Sequence, residues 1–162
     1  MKTETIYTEI EIFSVKEDLP ADEYQLLEEA IVSKGKAYAP YSRFKVGAAI
    51  HLQNGLIVHG NNQENAAYPS GLCAERVAIY SAGAQHPGVA INKIAITASA
   101  ESYSITRPIA PCGACRQAML EYEMNQNTGI TVLMYGESGE VYRIKSIKNL
   151  LPLHFGQTDL KG

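Results

Sequence analysis

The chain has 162 residues, 46% of them hydrophobic and 19% charged, a balance that suits one globular domain long enough to bury a core. A formal net charge of −3 offers no basic excess to hold a phosphate backbone, which argues against DNA or RNA as a partner. No run of 18 apolar residues marks a membrane span, and the start Met1-Lys2-Thr3-Glu4-Thr5 leads into no signal-peptide core, so the expectation is a cytoplasmic protein with no membrane partner.

In chain order, residues 3–13 show a strand pattern, with Ile6, Ile10 and Ile12 on one alternating face and Glu9 and Glu11 on the other. Two placements stay open for this segment: a solvated arm, or an edge strand added to the sheet of this or a neighbouring subunit. Leu19-Pro20-Ala21-Asp22 stops it and offers Asp22 as an N-cap. A helix follows, with Leu26, Leu27, Ala30 and Ile31 at helical spacing and Gly35 near its end. Ala39-Pro40-Tyr41-Ser42 reads as a loop before a strand from Phe44 to Ile50. Asn54-Gly55 is a hairpin signal, and Leu56 begins the return strand. That strand runs into Gly60-Asn61-Asn62-Gln63-Glu64-Asn65, on composition alone no more than a turn. Asn62 and Glu64 nonetheless carry an amide and a carboxylate suited to the hydroxyls of a ribose.

A second helix opens at Cys73 and continues through Val77, Ile79 and Tyr80 to about Gly83. Asn92 to Ala98 is a buried strand, and Ser99 to Ala110 is an irregular connection. A third helix begins near Cys112 and passes Met119 and Leu120 toward Glu121, with Thr128-Gly129 ending it. Strands at 130–134 and 141–144 follow, and Ser146 caps a short helical turn that ends in Leu150-Leu151-Pro152. The alternation implies a three-layer α/β/α domain whose mixed sheet has about five strands, with the N-terminal segment as a candidate extra strand. Helical crossovers are expected to make the later strands parallel. The expected divisions are an extension at 1–20, the main domain at 21–156 and a tail at 157–162.

All three cysteines fall in two motifs, Cys73-Ala74-Glu75-Arg76 and Pro111-Cys112-Gly113-Ala114-Cys115-Arg116. Three thiols can supply three corners of a tetrahedral zinc site. There is no fourth cysteine, and none of His51, His59, His86 and His154 lies within either motif, so the fourth corner is left to water, as in catalytic sites. An odd cysteine count without an export signal favours metal over disulfides. Glu75 stands two residues after the first thiol, where a carboxylate can handle the protons of a water that zinc acidifies from about 15.7 toward roughly 7. Both motifs open helices, whose positive ends favour thiolates. Three thiolates around one divalent zinc still leave a net negative charge. A guanidinium donating to sulfur would offset it, and Arg76 and Arg116 are the two candidates. A purely structural zinc domain would leave Glu75 without a task.

Together with the cysteine motifs, Ala39-Pro40-Tyr41-Ser42-Arg43-Phe44-Lys45-Val46-Gly47-Ala48-Ala49, Gly60-Asn61-Asn62-Gln63-Glu64-Asn65-Ala66 and Leu150-Leu151-Pro152 resemble the small, homotetrameric, zinc-dependent cytidine deaminases, over roughly residues 22–155. The resemblance implies hydrolytic deamination of cytidine and/or deoxycytidine to the uracil nucleoside with release of ammonia, a step of pyrimidine salvage. It implies one zinc per chain on Cys73, Cys112 and Cys115, with zinc-bound hydroxide as nucleophile and Glu75 as proton shuttle. It implies that Asn62 and Glu64 hold the sugar 3′-hydroxyl region, that Phe44 packs on the pyrimidine, and that Ala74 also touches the substrate. Arg76 is the arginine matching the family's partner of the thiolates. Tyr68 and Phe155 match positions that reach across subunit boundaries, so the implied assembly is a homotetramer with shared sites. Deaminases of nucleic acid usually carry His-x-Glu where Cys73 stands, which sets them aside; a deaminase of another small aminated nucleoside remains the rival.

Overall fold

Side chains along the central strands alternate between two cores, and that alternation builds the layers. The structure, a computed structural model, describes residues 1–160. Its strands are β1 (Glu11–Phe13), β2 (Phe44–Leu52), β3 (Ile57–Asn61), β4 (Ile91–Ala100), β5 (Thr131–Tyr135) and β6 (Val141–Ile144). Its α-helices are α1 (Ala21–Lys34), α2 (Ala74–Gln85), α3 (Gly113–Gln126) and the short α4 (Gln157–Leu160). Ala48, Ile50, Ile94, Ile96, Val132 and Met134 point to one face, where they join residues of α2 and α3. Ala49, Ala95, Leu133 and Tyr135 point to the other, against Leu26, Leu27 and Ala30 of α1. A period of two in the strands and of 3.6 in the helices thus gives the expected three-layer α/β/α arrangement.

The six-stranded sheet has the order β1-β6-β5-β4-β2-β3. Only β4 and β5 pair in parallel; β2–β3, β2–β4, β5–β6 and β1–β6 are antiparallel. The expectation that later strands run parallel therefore holds for one pair. The α2 crossover carries the chain from β3 past β2 to the far side of β2, whose direction is opposite, and the turn at 137–140 is too short to reverse β6 into parallel. Gly55, at φ 86, makes the β2–β3 turn in a conformation that favours glycine.

The N-terminal segment departs from the strand expected over residues 3–13. Three residues pair with β6, and Ile6, Ile10 and Ile12 are exposed rather than forming a buried face. The anchor lies instead on the opposite side of the backbone. Arg143 binds Glu11 at 2.6 Å and Glu23 at 2.9 Å, and its guanidinium lies 4.8 Å from the centre of the Phe13 ring. Glu23 is buried and also takes Lys93 at 2.9 Å, so these charges join β1, β6, α1 and β4. Asp22 is not the cap of α1. Pro20 holds that position with extended ψ, and Asp22, in the first turn, binds Lys93 at 2.7 Å.

The third helix runs past Glu121 to Gln126 and is ended by Asn127 in the left-handed region, φ 56. Its extra turn carries Glu123, whose buried carboxylate accepts from the Ile130 and Ile147 N–H groups and from Ser146 Oγ. Ser146 caps the turn at 147–150 as expected, accepting from Lys148 N. Of the C-terminal tail, residues 157–160 form α4, and 161–162 lie outside the described residues. No helix among the described residues is long and apolar enough to cross a membrane.

One close approach places α2. A Cβ on Gly60 in β3 would overlap the Ala74 carbonyl and sit 2.8 Å from Ala78 Cβ. Gly60→Ala is therefore expected to cost about 1–3 kcal/mol of stability through overpacking, read as a lowered urea midpoint at unchanged slope. An unchanged midpoint would mean that α2 is free to shift away from β3.

Candidate active site

Two helix N-termini meet at one end of the sheet. Cys73 is the N-cap of α2, Cys112 is the N-cap of α3, and Cys115 follows in the first turn of α3. Their sulfurs lie within 4.8 Å of one another, with Cys73–Cys112 at 4.0 Å and Cys112–Cys115 at 3.5 Å. Thiolates about 2.3 Å from a tetrahedral zinc stand about 3.8 Å apart, so the observed spacings fit such an ion with little movement. Cys115 is buried, Cys73 is half-buried and Cys112 is exposed, which leaves the cluster open on one side.

The charges around these sulfurs are uneven. A hydrogen bond from Cys115 draws the Cys73 thiol down to about 5, helped by Arg76, and the same bond raises the Cys115 thiol. Arg76 Nη2 lies 3.8 Å from Cys73 Sγ. Its Nε is buried and has no partner among the described residues, an orphaned donor that one more acceptor would satisfy. Arg116 turns away from the sulfurs; it donates to the Pro111 and Leu150 carbonyls at 2.8 Å each and ties the α3 entrance to the C-terminal segment. Glu75 is 4% exposed, and burial raises its carboxyl above the usual range, with the charge of Cys73 acting in the same direction.

A cavity of about 730 Å³ opens over this cluster. Cys73, Cys112, Glu75 and Arg76 form part of its wall, and Phe44, Asn62, Glu64 and Tyr68 form another part. The structure thus gathers eight residues named from the sequence around one space. Ala74 lies fully buried beneath it. Phe155 is elsewhere: 59% exposed on the segment before α4, with its carbonyl accepting from Gln117.

Asn62 and Glu64 are already engaged by the chain. Asn62 Oδ1 accepts from Val46 N at 2.8 Å, and its Nδ2 donates to the Phe44 carbonyl at 2.9 Å, so the amide clamps the start of β2. One Nδ2 hydrogen is left over. Glu64 Oε2 accepts from the Tyr41 and Ser42 N–H groups at 2.9 and 3.2 Å, and Oε1 accepts from the Ser42 hydroxyl. These bonds, that of Ser42 first, hold the Glu64 carboxyl below the usual range.

Sequence reasoning missed several wall residues. Tyr41 packs edge-on to Tyr68, with ring centres 6.2 Å apart, and Val46, Leu72, Ile96 and Ile109 add apolar surface. Ile109 arrives from the irregular connection, and no period in the sequence signals its direction. Ser42 stands in a quoted motif, but its hydroxyl partner lies 22 residues away.

Comparison with known proteins adds an independent line. Residues 20–129 match the family model described as the cytidine and deoxycytidylate deaminase zinc-binding region. The chain is 38% identical over 141 residues to a cytidine deaminase of Halalkalibacterium halodurans, covering 86% of this chain and 98% of that one. It is 36% identical over 140 residues to a cytidine deaminase of Sporosarcina psychrophila, covering 86% and 95%. The crystal structure of a cytidine deaminase from Burkholderia pseudomallei superposes with a TM-score of 0.71 at 42% identity, covering 82% of this chain and 98% of that one.

Removing one sulfur should leave a site too poor to retain metal. Cys112→Ala is expected to lose its zinc on desalting, measured by metal analysis against the unaltered protein. Full zinc content in the variant would remove Cys112 from the ligand set.

Proposed function

The chain belongs to the cytidine and deoxycytidylate deaminase family, and from that membership we propose that it hydrolyses the 4-amino group of cytidine, deoxycytidine or both, releasing ammonia. In this reading Cys73, Cys112 and Cys115 hold one zinc per chain. When bound, the zinc acts as a Lewis acid that makes water a nucleophile at neutral pH. The observation that carries the proposal is a buried Glu75 carboxyl in the wall of the same cavity as the cysteine sulfurs.

Glu75 accepts one proton of the water at its carboxylate and delivers it to N3 of the pyrimidine, then accepts the second proton of the same water and passes it to the departing amino nitrogen. A raised carboxyl pKa suits this role, because general acid–base groups work best near the operating pH. Arg76 donates to Cys73 Sγ and withdraws charge from the sulfur, which limits how far three thiolates weaken the metal as a Lewis acid. Phe44, with Val46 and Ile96 nearby, offers an apolar wall for the flat pyrimidine. Ala74 fits a backbone contact at the base, beside Glu75.

Asn62 and Glu64 serve the ribose. The spare Nδ2 hydrogen of Asn62 donates, and the carboxylate of Glu64 accepts from a hydroxyl. The charge of Glu64 also disfavours a phosphorylated substrate, so the nucleoside is preferred to the nucleotide. Tyr68 and Phe155, 76% and 59% exposed, leave large aromatic surfaces without cover, as expected of a homotetramer in which they reach shared sites. A cytoplasmic salvage enzyme acting on free nucleosides, without nucleic acid or membrane, is the setting this reading supports.

The test is a zinc-loaded Glu75→Gln protein assayed by loss of cytidine ultraviolet absorbance. Turnover should fall by about 10²–10⁴-fold while zinc content and nucleoside binding persist. A variant with full zinc that kept most of its rate would remove Glu75 from the proton path.

A further inference from the structure

The short segment Ser42-Arg43-Phe44 carries an aromatic wall residue at one end and a hydrogen bond to the Glu64 carboxylate at the other, and its geometry is unusual. Arg43 is a non-glycine residue in the left-handed region, φ 54, with its N–H bound to the Ala39 carbonyl at 3.1 Å. This conformation folds the chain back, so that the Phe44 N–H donates to Ser42 Oγ at 3.0 Å. A hydroxyl has one hydrogen. With its oxygen accepting from Phe44, that hydrogen is free for Glu64 Oε1, and it goes there.

We propose that Ser42 is a positioning residue for sugar recognition: its hydroxyl, fixed by the Phe44 N–H, holds the Glu64 carboxylate so that a single acceptor position is left facing the cavity. The inference rests on the nucleoside reading and adds to it the residue that orients the sugar-binding carboxylate. An ionised carboxylate has about four acceptor positions. The Tyr41 and Ser42 N–H groups take two on Oε2, and the Ser42 hydroxyl takes one on Oε1. One position on Oε1 remains. Glu64 can then accept from one substrate hydroxyl with its orientation set beforehand, and no entropy of ordering is lost when the nucleoside enters. Ser42, Phe44 and Glu64 all line the same cavity, so the bond ties the group that packs on the base to the group that holds the sugar.

The alternative is that Ser42 only shapes the loop. Kinetics separate the two, because a positioning role acts on substrates that carry the hydroxyl Glu64 reads. Ser42→Ala is expected to raise the KM of cytidine about 10- to 100-fold, the range for a hydrogen bond to a charged group, with kcat within about three-fold. For 2′,3′-dideoxycytidine, which lacks the 3′-hydroxyl, kcat/KM should change less than about three-fold, and Ser42→Thr should restore most of the cytidine KM. An equal loss on both substrates, or an unchanged cytidine KM, would overturn the proposal.

A second measurement does not depend on turnover. In zinc-loaded protein, carbon-13 NMR of the Glu64 carboxyl, identified by its loss in Glu64→Gln, should show its titration rising toward the ordinary glutamate range in Ser42→Ala. The sign follows from removing a donor that stabilises the charged form. An unmoved titration would overturn the positioning role. A moved titration in a protein whose unaltered form fails to deaminate cytidine would overturn the nucleoside reading and leave the Ser42–Glu64 coupling standing.

Discussion

The site depends on two helix N-termini being held against each other at one end of the sheet. Each is capped by a cysteine, and each points its unpaired N–H groups and partial positive charge at the sulfurs. Neither helix can choose this position alone. Gly60 lets α2 lie directly on β3, and the burial of Cys115, Met119 and Leu120 packs α3 beside it in the same core. The single parallel pair, β4 with β5, is the consequence of α3 crossing on that face. Three thiols from two distant segments thus converge through backbone packing. No contact among the side chains themselves would bring them together.

Charge then sorts the residues of α2 into different tasks. Cys73, Glu75 and Arg76 are within one turn, yet their surroundings push them apart. The first is drawn toward thiolate, the second is raised by burial above the usual carboxylate range, and the third stays cationic against the sulfur. Neighbouring groups whose protonation preferences diverge in this way are the usual mark of an acid–base centre. On the opposite wall the same economy of groups recurs. Asn62 and Glu64 each bind β2 or its preceding loop, so the chain itself fixes both side chains in place.

Much of this was legible in the sequence, for physical reasons that can be named. The Cys motifs, the Asn54-Gly55 turn and the apolar stripe of α1 are local signals, and the structure carries each where the pattern puts it. What failed was what depends on partners far along the chain. The alternation of Ile6, Ile10 and Ile12 marked a strand and left a solvated arm and an added edge strand both open; residues 11–13 do pair with β6 as an edge strand, and Arg143 secures them from the other side. Asp22 had the right residue type for a cap, and Pro20 was the one that began the helix. Arg116 stood beside a thiol in sequence and points instead to two carbonyls. Ser42 stood in a recognisable motif, but its bond to Glu64, 22 residues on, was not legible there, and Phe155 is exposed with only its carbonyl engaged, by Gln117.

The central claim is an open metal centre made by three sulfurs. X-ray absorption at the zinc edge of the purified, zinc-loaded protein tests it most directly. Three sulfur neighbours at about 2.3 Å and one oxygen at about 2.0 Å, in a tetrahedral arrangement, are the expected result. Four sulfurs, or two sulfurs with nitrogen neighbours, would contradict it, since either result would place the ion outside the cluster that α2 and α3 assemble.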